Sequence, residues 1–206
     1  MTAQERRPES HAADLRRLTG FSDGVMAVPM TIMVLEIKIP SSPDISALVP
    51  LLPIFFVYAL SFLQIGLYVN NHHYLLRAAK YGSSAIMWSN LVFLFFLSLL
   101  PFVTGWMGEH FTSPWATALF GVDALCAGIA YNWLQRAVMA TRDAESVTAA
   151  GLATDLKGII SLALYALAIP LAFVNHWVAN VIYVAIAVMW IIPDSRIERL
   201  LRAERL

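Results

Sequence analysis

The residues equipped for chemistry are few, and most of them fall at one level of an otherwise apolar chain. Arg17, Ser22 and Asp23 head a stretch that turns largely apolar and runs on to Leu35. An acidic side chain at the mouth of such a stretch costs about 2.5–3.5 kcal/mol on insertion scales if it lies in a span, and it usually has a partner or a function. His72 and His73 follow Asn70 and Asn71, and Asn90 lies early in a later apolar run. If these runs are antiparallel helices, the histidines, Asn90 and Asp23 share one depth. A buried polar network joining three helices is then the expectation, with Arg17, Ser22, Asp23, His72, His73 and Asn90 as its members. Plainer readings stand beside it: Asp23 in a first turn below a Thr19 or Ser22 cap, favoured by the helix dipole, and the histidines as ordinary interfacial side chains. Asp123 is a second acid inside an apolar run, set to pair with a neighbouring helix or to face a crevice.

Other chemistries find little support. Adjacent histidines on a helix point about 100° apart, and the i, i+4 spacing of paired ligands is absent, which argues against a metal site. There is no HExxH, no GxSxG elbow and no phosphate-cradling glycine loop, so an enzyme is not expected, nor is a cofactor. The single cysteine, Cys126, excludes an intrachain disulfide and reads as a small core residue.

The elements that would position these residues are membrane helices. Hydrophobic residues make up 59% of the 206 and charged ones 14%, with a mean hydropathy of +0.65. A soluble domain carries roughly 45–50% apolar and about 25% charged residues. Six runs reach or approach the roughly 20 apolar residues a helix needs to span a bilayer: 21–39, 45–69, 85–106, 115–134, 156–174 and 176–192. They are continuous rather than alternating, which argues for helices over a β-barrel. No cleaved leader is expected ahead of the first. The organisation is therefore an N-terminal segment 1–20, a six-helix membrane domain 21–192 and a tail 193–206. The loop around residues 142–155 and the tail read as helical extensions.

Charge orients the bundle. All but Lys38 of the 14 Lys and Arg fall on one side of a six-span arrangement, and by the positive-inside rule that side, with both termini, is cytoplasmic. All six Trp lie near predicted span ends, as interfacial rings prefer. The expected location is the cell's inner (plasma) membrane.

Within the first span, Val28, Ile32 and Leu35 share one helical face, which by periodicity alone is a packing stripe. Pro29 removes a backbone donor and crowds the carbonyl of Val25, predicting a kink.

From Arg17 to Asp23 the chain reads RxxxFSD and continues GVMAVPMTIMVLEIKIP; NNHHYLLRAAKY and WSNLVFLFFLSLLPF follow in the second and third spans. These stretches resemble the prokaryotic form of the TMEM175 family of potassium-permeable channels, most specifically in the first helix and more loosely beyond about residue 110. The resemblance implies an all-α subunit of six transmembrane helices without a re-entrant pore loop. It also implies a homotetramer whose first helices line a fourfold pore permeable to K⁺ and other monovalent cations. It assigns Val28 to the apolar constriction, Ile32 and Leu35 to further apolar layers, and Thr31 to the neighbourhood of the filter. Val28 is smaller than the Ile or Leu usual there, and Pro29 stands outside the family pattern. With no TVGYG carbonyl filter, selection would rest on narrow apolar rings that close by dewetting. The expected function is a modestly selective, leak-type potassium channel. The alternative is a proton- or cation-coupled secondary transporter working through Asp23, His72, His73 and Asp123.

Overall fold

A computed structural model describes residues 3–142 and 156–191, with side chains from residue 14 onward. Six α-helices follow one another: α1 (Ala3–Ile32), α2 (Leu52–Arg77), α3 (Ser84–Glu109), α4 (Pro114–Met139), α5 (Leu156–Val174) and α6 (His176–Ile191). Two 3₁₀ segments, Met33–Glu36 and Ile45–Leu51, continue α1 and lead into α2. There is no strand among the described residues. Backbone amides facing lipid have no water to bond, so the chain satisfies them within each helix.

Five helical stretches are long and apolar enough to cross a membrane: Asp14–Glu36, Ile45–Arg77, Ser84–Glu109, Pro114–Met139 and Leu156–Val174. The sixth, His176–Ile191, is apolar but described over only 16 residues. Its expected last residue, Ile192, lies outside the described residues, as do the loop from residue 143 and the C-terminal tail.

The largest departure from expectation is in the first helix. Instead of starting near residue 21, α1 begins at Ala3 and runs uninterrupted through Gly20 and Phe21. Thr19 and Ser22 therefore cap nothing. Their hydroxyls bond back to the carbonyls of Leu15 (2.9 Å) and Leu18 (2.8 Å), and Asp23 is a mid-helix residue. The helix also passes Pro29 without a break, and its geometry tightens only after Ile32. Likewise α2 continues past residue 69 to Arg77, so Asn70 to His73 are helical rather than following the helix.

Local chemistry sets the other ends. Ser83 accepts a bond from the backbone N–H of Ile86 (3.3 Å) and caps α3, and Pro114 opens α4 where no donor is needed. Asn175 alone connects α5 to α6: its side-chain carbonyl accepts the N–H of Trp177 (2.9 Å) and its backbone carbonyl that of Val178 (3.1 Å).

In the bundle α3 packs on α4, α4 on α5 and α5 on α6, which closes back onto α2 and α4; α1 lies against α2 and α3. Lipid supplies no hydrophobic drive between helices, so close approach of small residues does the work. The buried face of α4 is built for this, with Ala116, Ala124, Ala127 and Ala130 beside Gly121. A Cβ on Gly121 would stand 2.2 Å from the Tyr183 hydroxyl, which donates to the Thr117 carbonyl at 3.0 Å. Gly108 does the same for α3 and α2: a Cβ there would lie 2.9 Å from the Cα of Ile54. Cys126, expected in the core, is only partly buried.

Candidate functional site

The two faces of α1 differ sharply. Ser22, Met26, Pro29 and Met33 recur at i, i+4, i+7 and i+11 and are all buried. Val28, Ile32 and Leu35 lie on the other side and are 51%, 42% and 76% exposed. Thr31 is exposed as well, its hydroxyl donating to the carbonyls of Val28 (2.9 Å) and Ala27 (3.2 Å). Leu35 belongs to the 3₁₀ segment rather than the α-helix. In 3₁₀ geometry residues three apart eclipse, so Leu35 stays directly in line with Ile32. The change of helix type therefore leaves the apolar stripe intact.

Val28 and Ile32 border a broad groove between α1 and α3, about 1220 Å³ with its open side included, whose far wall holds Phe102 and Pro101. Glu36 and Glu109 stand at its end. Glu36 lies over Gly105, where a Cβ would come within 2.9 Å of its carboxylate. Glu109 pairs with Lys38 at 2.5 Å, the one ion pair among the described residues. The Glu109 carboxylate, through its hydrogen bond and its charge, holds the Lys38 ammonium above its ordinary range. This acidic end was missed in the sequence, where Glu36 and Glu109 lie 73 positions apart; only the pairing of α1 with α3 brings them to one groove.

At the other end of α1 the structure joins three of the six expected network residues. The Nε2 of His72 lies 2.7 Å from the Asn90 Oδ1, and the Asn90 Nδ2 donates to the Ser22 Oγ at 2.9 Å. All three are essentially inaccessible, with 0%, 1% and 0% exposure for His72, Asn90 and Ser22. The His72 ring stacks on Phe93, with centroids 5.8 Å apart and planes 17° from parallel. Asn90 thus uses both ends of its amide to tie α3 to α2 and α1. With its acceptor oxygen turned to His72, the ring nitrogen facing it is the protonated one.

The remaining three do not enter the chain of bonds. His73, one residue on and about 100° around the helix, is exposed and lies against Tyr74. Arg17 is exposed and makes no ion pair with Asp23. Asp23 is half-buried, and its Oδ1 is enclosed without a hydrogen-bond partner among the described residues. Asp123 on α4 is 5% exposed, and neither of its oxygens has a hydrogen-bond partner among the described residues. The pairing expected for it with a neighbouring helix is not seen. No group of three or more His, Cys, Asp or Glu stands close enough to hold a metal ion among the described residues.

Comparison with known proteins adds a second line. The model of the family described as endosomal/lysosomal potassium channel TMEM175 matches residues 17–101, which take in the apolar stripe and the whole His72–Asn90–Ser22 chain. A potassium channel of Chryseobacterium sp. (strain P1-3) is 38% identical over 186 residues, covering 90% of this chain and 97% of that protein. A potassium channel of Streptomyces collinus (strain DSM 40733 / Tue 365) is 28% identical over 170 residues, 77% of this chain and 82% of that one. Among solved structures, the crystal structure of a lysosomal potassium-selective channel TMEM175 homolog from Chamaesiphon minutus superposes with a TM-score of 0.74. At 24% identity it covers 86% of this chain and 96% of the other, a likeness of fold.

Proposed function

The chain belongs to the TMEM175 family, and from that premise we propose that it is a potassium channel of the modestly selective, leak type, acting as a homotetramer with α1 lining a fourfold central pore. The observation that carries this reading is the exposed apolar stripe. A single subunit leaves Val28, Ile32 and Leu35 exposed, the first two along the open groove beside α3. Fourfold association turns each of these positions into a ring, with Thr31 between the first two. Such rings select by narrowness and by the cost of stripping water from the ion, and they close by dewetting.

The helix carries a second feature that suits close assembly. Gly20, Gly24, Ala27 and Thr31 follow one another at i, i+4, i+7 and i+11 on an exposed strip beside the apolar one. A Cβ on Gly20 or Gly24 would meet nothing within 4 Å. Small residues so spaced let membrane helices approach each other closely. Arg17 and Asp23, which form no ion pair among the described residues, are then anchors between subunits. Loop charge favours cytoplasmic termini, and the protein is read as a resident of the inner (plasma) membrane. K⁺ is the permeant ion, other monovalent cations follow it less readily, and no cofactor takes part.

The coupled-transporter reading needs a proton path linking Asp23, His72 and Asp123. Hydrogen bonds carry His72 to Asn90 and Ser22 and to neither acid. The deciding experiment is potassium-diffusion flux from proteoliposomes, with sodium and caesium substituted in turn. Passive K⁺ current that needs no second ion is the expected result; saturable flux that stops without a coupling ion overturns the channel reading.

A further inference from the structure

On the side of the bundle away from α1, helices α2, α4, α5 and α6 enclose a cleft of about 620 Å³, its mouth included. It lies where Gln64 to Asn71 of α2 face Gly128 to Asn132 of α4 and the start of α5. Eight of its lining side chains carry hydrogen-bonding groups, among them the five Gln64, Tyr68, Asn71, Asn132 and Tyr165. None of the five bonds another described residue through its side chain. Two of them are deeply buried, Gln64 at 9% and Tyr165 at 5% exposure. By contrast, Ser161 and Trp190 on the same wall satisfy one another at 2.8 Å. Their polar atoms are not sealed off but open to the cleft, so several amides and phenols converge there with hydrogen-bonding capacity to offer a guest.

The lining defines that guest. Among the described residues, no Asp, Glu, Lys, Arg or His borders the cleft, so a charged ligand would lose water with none of them to balance it. The rest of the wall is apolar or aromatic, including Leu67, Leu162 and Ile186. We propose that this cleft binds an uncharged amphiphile, its hydrogen-bonding head held by Gln64, Tyr68 and Tyr165 and its apolar body against the leucines and isoleucine. The source is either a neutral glyceride of the bilayer or a neutral aromatic amide or phenol from solution.

The position gives the ligand a route to α1. Tyr68 packs against Phe93 at 5.0 Å and against Tyr131 at 5.4 Å, and Tyr131 against Phe93 at 5.4 Å. Phe93 in turn stacks on His72, whose bonds run through Asn90 to Ser22 on α1. A guest that fixes Tyr68 in one rotamer bears on the seat of His72 and through it on α1. This coupling rests on the proposed channel reading; the binding does not.

Trp190 on the cleft wall supplies the readout, because a bromine in contact with its ring quenches its fluorescence. The full-length protein in liposomes is titrated with a brominated monoacylglycerol in the bilayer and, separately, with 4-bromobenzamide in buffer. Saturable quenching by one of the probes is expected, absent in Trp190→Phe and about tenfold weaker in affinity in Gln64→Leu and Tyr165→Phe, as loss of a hydrogen-bonding partner to the head requires. The probe that saturates identifies the source. Quenching by both probes that rises without saturation, or that is unchanged in both variants, overturns the site. K⁺ flux recorded with the saturating probe should change in the wild type and not in Phe93→Leu. Unchanged wild-type flux overturns the coupling alone, and a wild type that passes no K⁺ sinks the channel reading while leaving the quenching result intact.

Discussion

His72 and Asn90 sit 18 positions apart in the chain and 2.7 Å apart in the structure, each sealed from solvent, with Asn90 reaching on to Ser22. One amide therefore holds three helices in register. Asn90→Ala would break both bonds and leave the His72 ring nitrogen and the Ser22 hydroxyl buried. Two net hydrogen bonds and the desolvation of their abandoned partners together amount to about 2–4 kcal/mol. Thermal or denaturant unfolding in detergent should show that loss. A His72→Ala, Asn90→Ala cycle should return a coupling of about 1–2 kcal/mol, and strict additivity would mean that the bond contributes nothing.

Asp123 makes the opposite case. Its carboxyl is buried and loses no hydrogen bond on substitution, because it has none among the described residues. Asp123→Asn keeps the shape and removes the cost of ionising an acid out of water. The variant should be as stable as the wild type or more so by about 1 kcal/mol, and its K⁺ flux should be unchanged. A variant that unfolds early would reveal a charged partner for Asp123, and one that folds but loses flux would return this acid to the transport path.

How far the sequence reached depends on what kind of order each feature needed. Helix number and placement were legible because an apolar run long enough to span a bilayer has few alternatives, and α5 ends at Val174 as expected. The start of α1 was not, since residues 3–20 are polar and their helix has no hydropathy signal. The one-residue link at Asn175 follows from the same logic, since two apolar runs leave room for nothing longer and its side chain caps the next helix. In the network, shared depth could be read from topology, but rotation about each helix axis could not. That rotation is what separates His72, bonded and buried, from His73, exposed, and Ser22 from Arg17. The stripe of Val28, Ile32 and Leu35 was visible as periodicity, and the family resemblance gave it its proposed role. The cleft beside Tyr68 had no sequence signal, because its polar residues come from four helices and match no motif.

The Lys38–Glu109 pair offers a pH test at the acidic end of the groove. Glu109 raises the pKa of Lys38, so the pair's contribution is complete below the ordinary lysine value of 10.5 and is lost as pH climbs through the raised one. Both side chains are open to solvent, at 79% and 44% exposure, so salt screens the attraction and the contribution is small. Lys38→Gln should shift the melting temperature barely beyond measurement error at pH 7 in low salt. The difference should vanish in high salt and again at strongly alkaline pH. A large shift at pH 7 would mean that Lys38 holds more than Glu109.

The apolar stripe on α1 is where the proposed function is most exposed to test. If Val28 and Ile32 form rings in an assembled channel, an amide at either level lowers the cost of wetting the constriction and widens the range of ions that pass. Val28→Asn and Ile32→Asn should each raise conductance several-fold and bring the K⁺ to Na⁺ permeability ratio toward one. Both positions are exposed in the subunit and make no hydrogen bond through their side chains, so folding should be little affected. If instead the stripe faced lipid, the same substitutions would place an amide in hydrocarbon, lowering stability and leaving the permeability ratio untouched. Single-channel recording in bilayers separates these outcomes. Between the two rings, Thr31→Val removes a hydroxyl already bonded to the Ala27 and Val28 carbonyls. It should therefore change selectivity much less than either Asn variant, unless that hydroxyl turns from the backbone to meet the ion.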